Sequence, residues 1–262
     1  MIGSYRLRVR RQRLLGRAFL RRRELRPVSN RIAGVRPEPM LLFTCLRNEK
    51  VRLPYFLQYY RDLGVDHFLI VDNDSDDGSR EYLARQPDVS LWTTRASYKR
   101  ARFGMDWLTH LLRRYGSGNW CLTVDVDEFF IYPFCETRPL RALTDWLDSS
   151  QIRTFASMLL DMYPKGAIQD QPYREGQNPF EIAQWFDSGN YSIARNWGFG
   201  NLWIQGGPRT RTFFADEPKK SPALNKIPLV KWEKGYAYVS VSYTHLRAHE
   251  TDSYLVCRLL LE

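Results

Sequence analysis

"CLTVDVDEFF", Cys121 to Phe130, is an apolar run that ends in three carboxylates within four residues: Asp125, Asp127 and Glu128. Strands that feed a core do not usually end this way. Like charges held this close suppress one another's ionisation, so something opposite has to compensate. Residues i and i+2 of a strand point the same way, so Asp125 and Asp127 can reach one ion, whereas Glu128 points away unless the strand has already ended. Oxygen ligands without His or Cys favour Mg²⁺ or Mn²⁺, ions that commonly also bind substrate phosphates. The competing reading is an acidic strand end in water, or one paired with arginines such as Arg100 and Arg102.

Outward from this stretch the chain alternates. "MLLFTCL" (40–46), "HFLIV" (67–71), "VSLWTT" (89–94) and "WCLTVDVD" (120–127) read as buried strands. Between them, Leu53, Phe56, Leu57, Tyr60 and Leu63 recur at helical spacing before Gly64, "REYLARQ" (80–86) is a short helix, and 100–116 is a longer one. This β-α-β-α-β-α-β order predicts an α/β fold with a mostly parallel sheet flanked by helices. Functional loops of such sheets gather at the carboxyl ends of the strands. Three of those ends are polar: Arg47, Asn48 and Glu49 after the first strand, Asp72 to Ser79 after the second, and the acidic cluster after the fourth. The parallel reading therefore brings all three to one rim.

After Pro133 the pattern loosens. Residues 140–149 read as a helix, 154–163 as a strand and 236–240 as a last strand, while 164–235 predict long loops that cover the rim. Trp185, Trp197 and Trp203 lie in this half and read either as an aromatic platform for a ligand or as core, with core packing expected of at least two. Arg209 and Arg211 read either as holders of an anionic group or as surface charges. "DNDSDDGS" (72–79) lacks the twelve-residue spacing and terminal Glu of a calcium loop.

The 262 residues, 44% hydrophobic and 14% aromatic, suffice for a sizeable core and argue against disorder. No run approaches the roughly 18 apolar residues of a membrane span, and the arginine-rich start is unlike a signal peptide, so a cytoplasmic protein is expected. The four cysteines and four histidines show no zinc spacing and no disulfide framework. Charge is concentrated. Residues 1–37 hold twelve arginines and one acid, Glu24, whereas the rest of the chain is close to neutral. Leu14, Leu15, Phe19 and Leu20 among those arginines predict an amphipathic helix. It either packs on the domain or rests on an anionic membrane surface, peripheral to the inner membrane. Nucleic acid is set aside, because no base-reading module follows the arm.

"LRNE", "LPYFLQYYRDLGVDHFLIVDNDSDDGS", "RARFG" and "WCLTVDVDEF" together resemble a GT-A-fold glycosyltransferase, a Rossmann-like architecture with a loop-rich C-terminal half. The motifs RNE, DNxSxDGS and DxDEF are most similar to those of the bacterial family-2-like branch, over about residues 40–240. The resemblance implies sugar transfer from a UDP- or GDP-linked nucleotide-sugar to a glycan or lipid-linked acceptor, with Mn²⁺ or Mg²⁺, in surface polysaccharide or glycoconjugate synthesis. It implies that Asn48 and Glu49 line the nucleotide pocket, that Asp72 and Asn73 contact base or ribose, and that Arg102 lies near the diphosphate. Asp77 would fix the turn, and Asp125 and Asp127 would hold metal and diphosphate. An inverting reaction needs a general base, for which Asp161 is the candidate beside a purely structural role. The rival readings are a metal-dependent nucleotidyltransferase and a non-catalytic binding protein on the same scaffold.

Three segments follow: a basic arm (1–37), a GT-A domain (38–240) and a tail (241–262). "VSYTHLRAHETDSYLVCRLLLE" resembles translated sequencing-adapter read-through, and such a tail is expected to pack poorly. His245 in "SYTH" stands at a place similar to that of a histidine that completes the metal site in the branch, and reads either as a metal ligand or as an adapter codon that mimics one.

Overall fold

The computed structural model describes residues 2–166, 172–197, 201–238 and 253–259; for 2–7 and 253–259 only the backbone is considered. His245 lies outside the described residues.

Four strands form the parallel heart of the sheet: β2 (Leu41–Leu46), β3 (His67–Asp72), β4 (Val89–Thr93) and β5 (Trp120–Thr123). β2 pairs in parallel with both β3 and β5, and β3 with β4, so their spatial order is β4-β3-β2-β5. Almost every residue in these strands is buried, as expected when helices cover both faces. On one face lies α2 (Leu53–Leu63), whose Leu53, Phe56, Leu57, Tyr60 and Leu63 are all buried. Gly64 ends it at φ 99°, a left-handed conformation that glycine reaches without Cβ strain. α3 (Ser79–Ala84) and α5 (Leu140–Ser149) share that face, and α4 (Met105–Leu111) covers the other with Trp107, Leu108 and Leu111.

The second half extends the sheet antiparallel. β11 (Asn225–Lys231) pairs with β5 on one side and with β7 (Thr154–Tyr163) on the other. The remaining strands are β1 (Arg26–Ser29), antiparallel at the β4 edge, β6 (Glu128–Phe130), β8 (Trp185–Phe186), the hairpin of β9 (Tyr191–Asn196) and β10 (Asn201–Gly206), and β12 (Ser253–Leu259). The fold is thus α/β, with a mixed, largely parallel central sheet between helices.

Five expectations need correction, the first being that 164–235 form long loops, since β8, β9, β10 and β11 lie there. The fourth strand stops at Thr123, and Val124 to Asp127 turn away from it. The helix of 100–116 starts only at Met105, because Arg102, Phe103 and Gly104 take φ 54°, 55° and 78°. Residues 236–238 are not a strand; Tyr238 instead packs its ring on Trp232. The tail supplies β12, parallel to β7 and antiparallel to β6.

The arm is a helix, α1 (Ile2–Arg21), packed along α4. Leu14, Leu15 and Ala18 are buried, and Arg17 reaches the buried carboxylate of Asp106 at 3.0 Å. Glu24 accepts from the Trp107 indole at 2.8 Å. His110, near the end of α4, is held neutral: burial and then Arg114, Arg22 and Arg113 push its imidazole down to about 4. Unfolded, it would titrate near 6.5. Between those values the unfolded chain binds the extra proton, so stability falls as pH drops from about 6.5 towards 4. Partial solvent access to the ring reduces the loss to about 1–2 kcal/mol. Urea midpoints at pH 7.5 and pH 5 should differ more for the wild type than for His110→Asn.

Candidate functional site

Register alone puts the first two polar clusters side by side, since Leu46 pairs with Asp72 at the strand ends. The loops then tie themselves together. The Asn48 amide donates to Ser75 Oγ at 2.9 Å, and Asn48 Oδ1 accepts from the Asp76 amide at 3.0 Å. The Lys50 amide donates to Asp77 at 2.9 Å, and the Glu49 amide to Ser79 Oγ at 3.0 Å. Asn48 does this at φ 58°, a left-handed position that asparagine tolerates better than most residues.

Asp72 is fully buried, and its carboxylate accepts from Arg80 Nε at 3.0 Å, from Thr93 and from the Ser75 amide. Asn73 donates to the carbonyls of Thr94 and Ala96 at 3.0 and 3.1 Å. Both shape the rim rather than point out of it. Arg102 donates to Asp106 at 3.3 Å and to the Tyr238 carbonyl at 2.8 Å. Asp77 holds the turn as expected, and its hydrogen bonds from Ser79 and the Lys50 amide outweigh desolvation and draw its carboxyl below the usual range.

The acidic cluster forms as a turn rather than as a strand face. Because β5 has ended, Glu128 turns inward with the aspartates, and one ligand oxygen from each of the three lies within 4.8 Å of the others. Asp125 and Asp127 are partly exposed and Glu128 is fully buried. The backbone behind them is clamped by Tyr60, whose hydroxyl donates to the Glu128 carbonyl at 2.8 Å and accepts from the Phe130 amide at 3.1 Å.

The compensating charge is Lys226. From β11 this lysine, 4% exposed, ion-pairs with Glu128 and reaches Asp125 at 3.4 Å. Sequence reading passed over it, although a lysine inside the apolar strand "NKIPLVKW" is itself a signal, because an unpaired cation is not buried there. Burial still pushes the Glu128 carboxyl up to about 7, against the pull of Lys226 and with Asp125 and Asp127 adding to the rise. Tyr98 and Cys45 border the same charges: burial raises both, and Asp125 adds to each. Glu49 is raised by burial, pulled back by Arg52 at 2.7 Å, and raised again by Asp127.

Asp161 lies apart on β7, 1% exposed, with Arg209 donating to Oδ1 at 2.5 Å. Its Oδ2 is buried with no hydrogen bond. Arg211 clasps Asp187 with two bonds of 3.1 Å, and Tyr163 donates to the same carboxylate at 2.7 Å. Trp185 and Trp197 are 52% and 79% exposed, so the expectation that at least two of Trp185, Trp197 and Trp203 pack in the core is corrected. A cavity of about 630 Å³ lies between the β9–β10 hairpin and α6 (Gly207–Phe213), lined by Tyr191, Gln205 and Arg211 among others. It contains none of the clustered carboxylates.

No family model matches the chain. It is similar to a glycosyltransferase family 92 protein of Ricinus communis, 29% identical over 103 residues, which is 39% of this chain and 19% of that protein. A family 92 protein of Oryza sativa subsp. japonica is 31% identical over 99 residues, 37% of this chain and 17% of that one. The chain thus spans under a fifth of the length of these relatives, and neither belongs to the family-2 branch. Among solved structures, a protein named as a glucose-1-phosphate thymidylyltransferase from Bacillus anthracis has a TM-score of 0.38 at 13% identity, covering 73% of this chain and 71% of its own. A 4-diphosphocytidyl-2C-methyl-D-erythritol synthase has a TM-score of 0.30 at 15% identity, covering 50% and 65%.

Proposed function

We propose that the chain is a glycosyltransferase that moves a sugar from a nucleotide-sugar to an acceptor hydroxyl, with a divalent cation at Asp125 and Asp127. The observation that carries the reading is the carboxylate cluster at the carboxyl end of a central parallel strand, beside the nucleotide-side loops of Asn48 and Glu49. The two family 92 relatives supply the reaction class.

The donor set fits the cation. Asp125 and Asp127 are partly exposed oxygen ligands, while Lys226 occupies the buried Glu128. Two carboxylates suit Mg²⁺ or Mn²⁺, which keep several waters and take substrate phosphates as further ligands. Bound there, the cation would neutralise charge that develops on a diphosphate leaving group. The chain's own part is to orient and to exclude. Asn48, Ser75, Asp76 and Asp77 fix the two loops against each other, and Asp72 with Arg80 fixes their base. Tyr98 lies beside the carboxylates. Exposed Trp185 and Trp197 offer ring faces to an acceptor sugar. Asp161 stays the candidate general base; here it is 1% exposed and accepts from Arg209, so the role requires that this pair open for the acceptor.

Calorimetric titration of UDP and then GDP, with and without Mn²⁺, tests the reading. Binding of one nucleotide that needs the metal is expected, and it would choose the donor class. Absence of binding for both, in a folded sample with Mn²⁺ present, sinks the donor-site assignment.

A further inference from the structure

The basic helix α1 carries seven arginines and no acid over Ile2–Arg21. Such a helix is poorly made for its own sake. Cations near a helix N-terminus oppose the macrodipole, and like charges three or four residues apart repel. Only part of this charge serves to dock the helix. Arg17 and Arg21 reach Asp106 at 3.0 and 3.6 Å, and Arg17 also donates to the Arg100 carbonyl at 2.9 Å. Asp106 takes Arg102 as well, so one buried carboxylate already serves three guanidinium groups.

The outward side is different. Leu14, Leu15 and Ala18 mark the inward stripe, whereas Arg8 in the first turns, Arg13 on the side away from that stripe and Arg23, two residues past the helix end, are exposed. Among the described residues no carboxylate pairs with these three. Phe19 and Leu20, 53% and 63% exposed, lie between them, with the Arg22 guanidinium 3.6 Å over the Phe19 ring. Unpaired arginines interleaved with exposed apolar side chains, on a helix fixed by its other face, are the composition of an interfacial helix. No described helix is long and apolar enough to cross a membrane.

We propose that the outward face of α1 docks the protein on an anionic lipid surface, with Arg8, Arg13 and Arg23 over the headgroups and Phe19 and Leu20 in the acyl boundary. Lipid fits better than nucleic acid because Phe19 and Leu20 are exposed in the middle of the charge, where a phosphate backbone offers them nothing. The same helix touches the Arg100 carbonyl, two residues from Tyr98, which lies near the candidate carboxylates, so docking would bring that side of the rim towards the membrane. The inference does not depend on the reaction proposed above.

Vesicle co-sedimentation of the full chain tests it, with phosphatidylcholine alone and with 30 mol% phosphatidylglycerol added. Binding to the anionic vesicles only, weakening as salt rises, is expected. Arg8→Gln, Arg13→Gln and Arg23→Gln together should lower that affinity about a hundredfold, from roughly fivefold per charge. Phe19→Ser with Leu20→Ser should weaken binding at high salt, where the charges are screened. These positions are exposed, and circular dichroism checks that each variant is folded. Equal binding to neutral and anionic vesicles would overturn the proposal. So would absence of binding to either, or preferential retention of a single-stranded RNA over anionic vesicles in competition.

Discussion

Lys226→Met is expected to destabilise the fold by about 3–5 kcal/mol, read as a shift of the urea midpoint at pH 7.5. The lysine is 4% exposed and Glu128 fully buried, so the substitution leaves Glu128 either charged where water cannot reach it or forced to take up a proton, and both cost stability. Two neighbouring carboxylates, Asp125 and Asp127, then repel it without a counter-charge. A surface ion pair would cost at most about 1 kcal/mol, and burial makes the difference. The decisive variant is the double one. Removing both charges together, as Lys226→Met with Glu128→Leu, deletes the pair and its desolvation penalty at once, and such replacements are often neutral or stabilising. Recovery of most of the lost stability in the double variant would show that the cost lies in the orphaned charge. A double variant as unstable as the single one would mean that Lys226 serves the packing of β11 instead, and that the pair does not organise the cluster.

The parallel half of the sheet was legible because its signals are local and redundant. Five apolar residues at helical spacing, a glycine stop, and apolar strands with polar ends can each be read without knowing the rest. The meeting of Asn48, Asp77 and the acidic cluster at one rim followed from topology alone. What escaped the sequence depends on non-local geometry. The turn at Val124 to Asp127 hides in a run that reads as strand, and only that turn brings Glu128 inward. Lys226 is distant in sequence from the charges it answers, on a strand that inserts antiparallel between β5 and β7. Asp72, Asn73 and Arg102 have the residue types of ligand contacts, yet each is absorbed by a partner that sequence cannot place: Arg80, the Thr94 and Ala96 carbonyls, and Asp106. A polar residue at a strand end is therefore a weaker guide to ligand contact than to location.

Asp127→Asn should separate chemistry from stability more cleanly than any other single change. The amide keeps the volume and one oxygen but removes the charge a divalent cation needs. If the cation supplies several kcal/mol of leaving-group stabilisation, donor turnover falls by at least about a hundredfold. It is read as nucleotide diphosphate released from UDP- and GDP-sugars in the presence of Mn²⁺. Stability should move the other way or not at all. Asp127 is partly exposed, and it adds to the electrostatic load on Glu128, Glu49 and Tyr98. Lifting that load relieves repulsion in a cluster whose buried member, Glu128, is held by Lys226. An acid retained for structure would show the reverse, a lower unfolding midpoint with nucleotide binding intact, and that outcome would remove the cluster from the active site. Loss of turnover at unchanged or raised stability is the signature of carboxylates kept in mutual repulsion for the sake of a ligand.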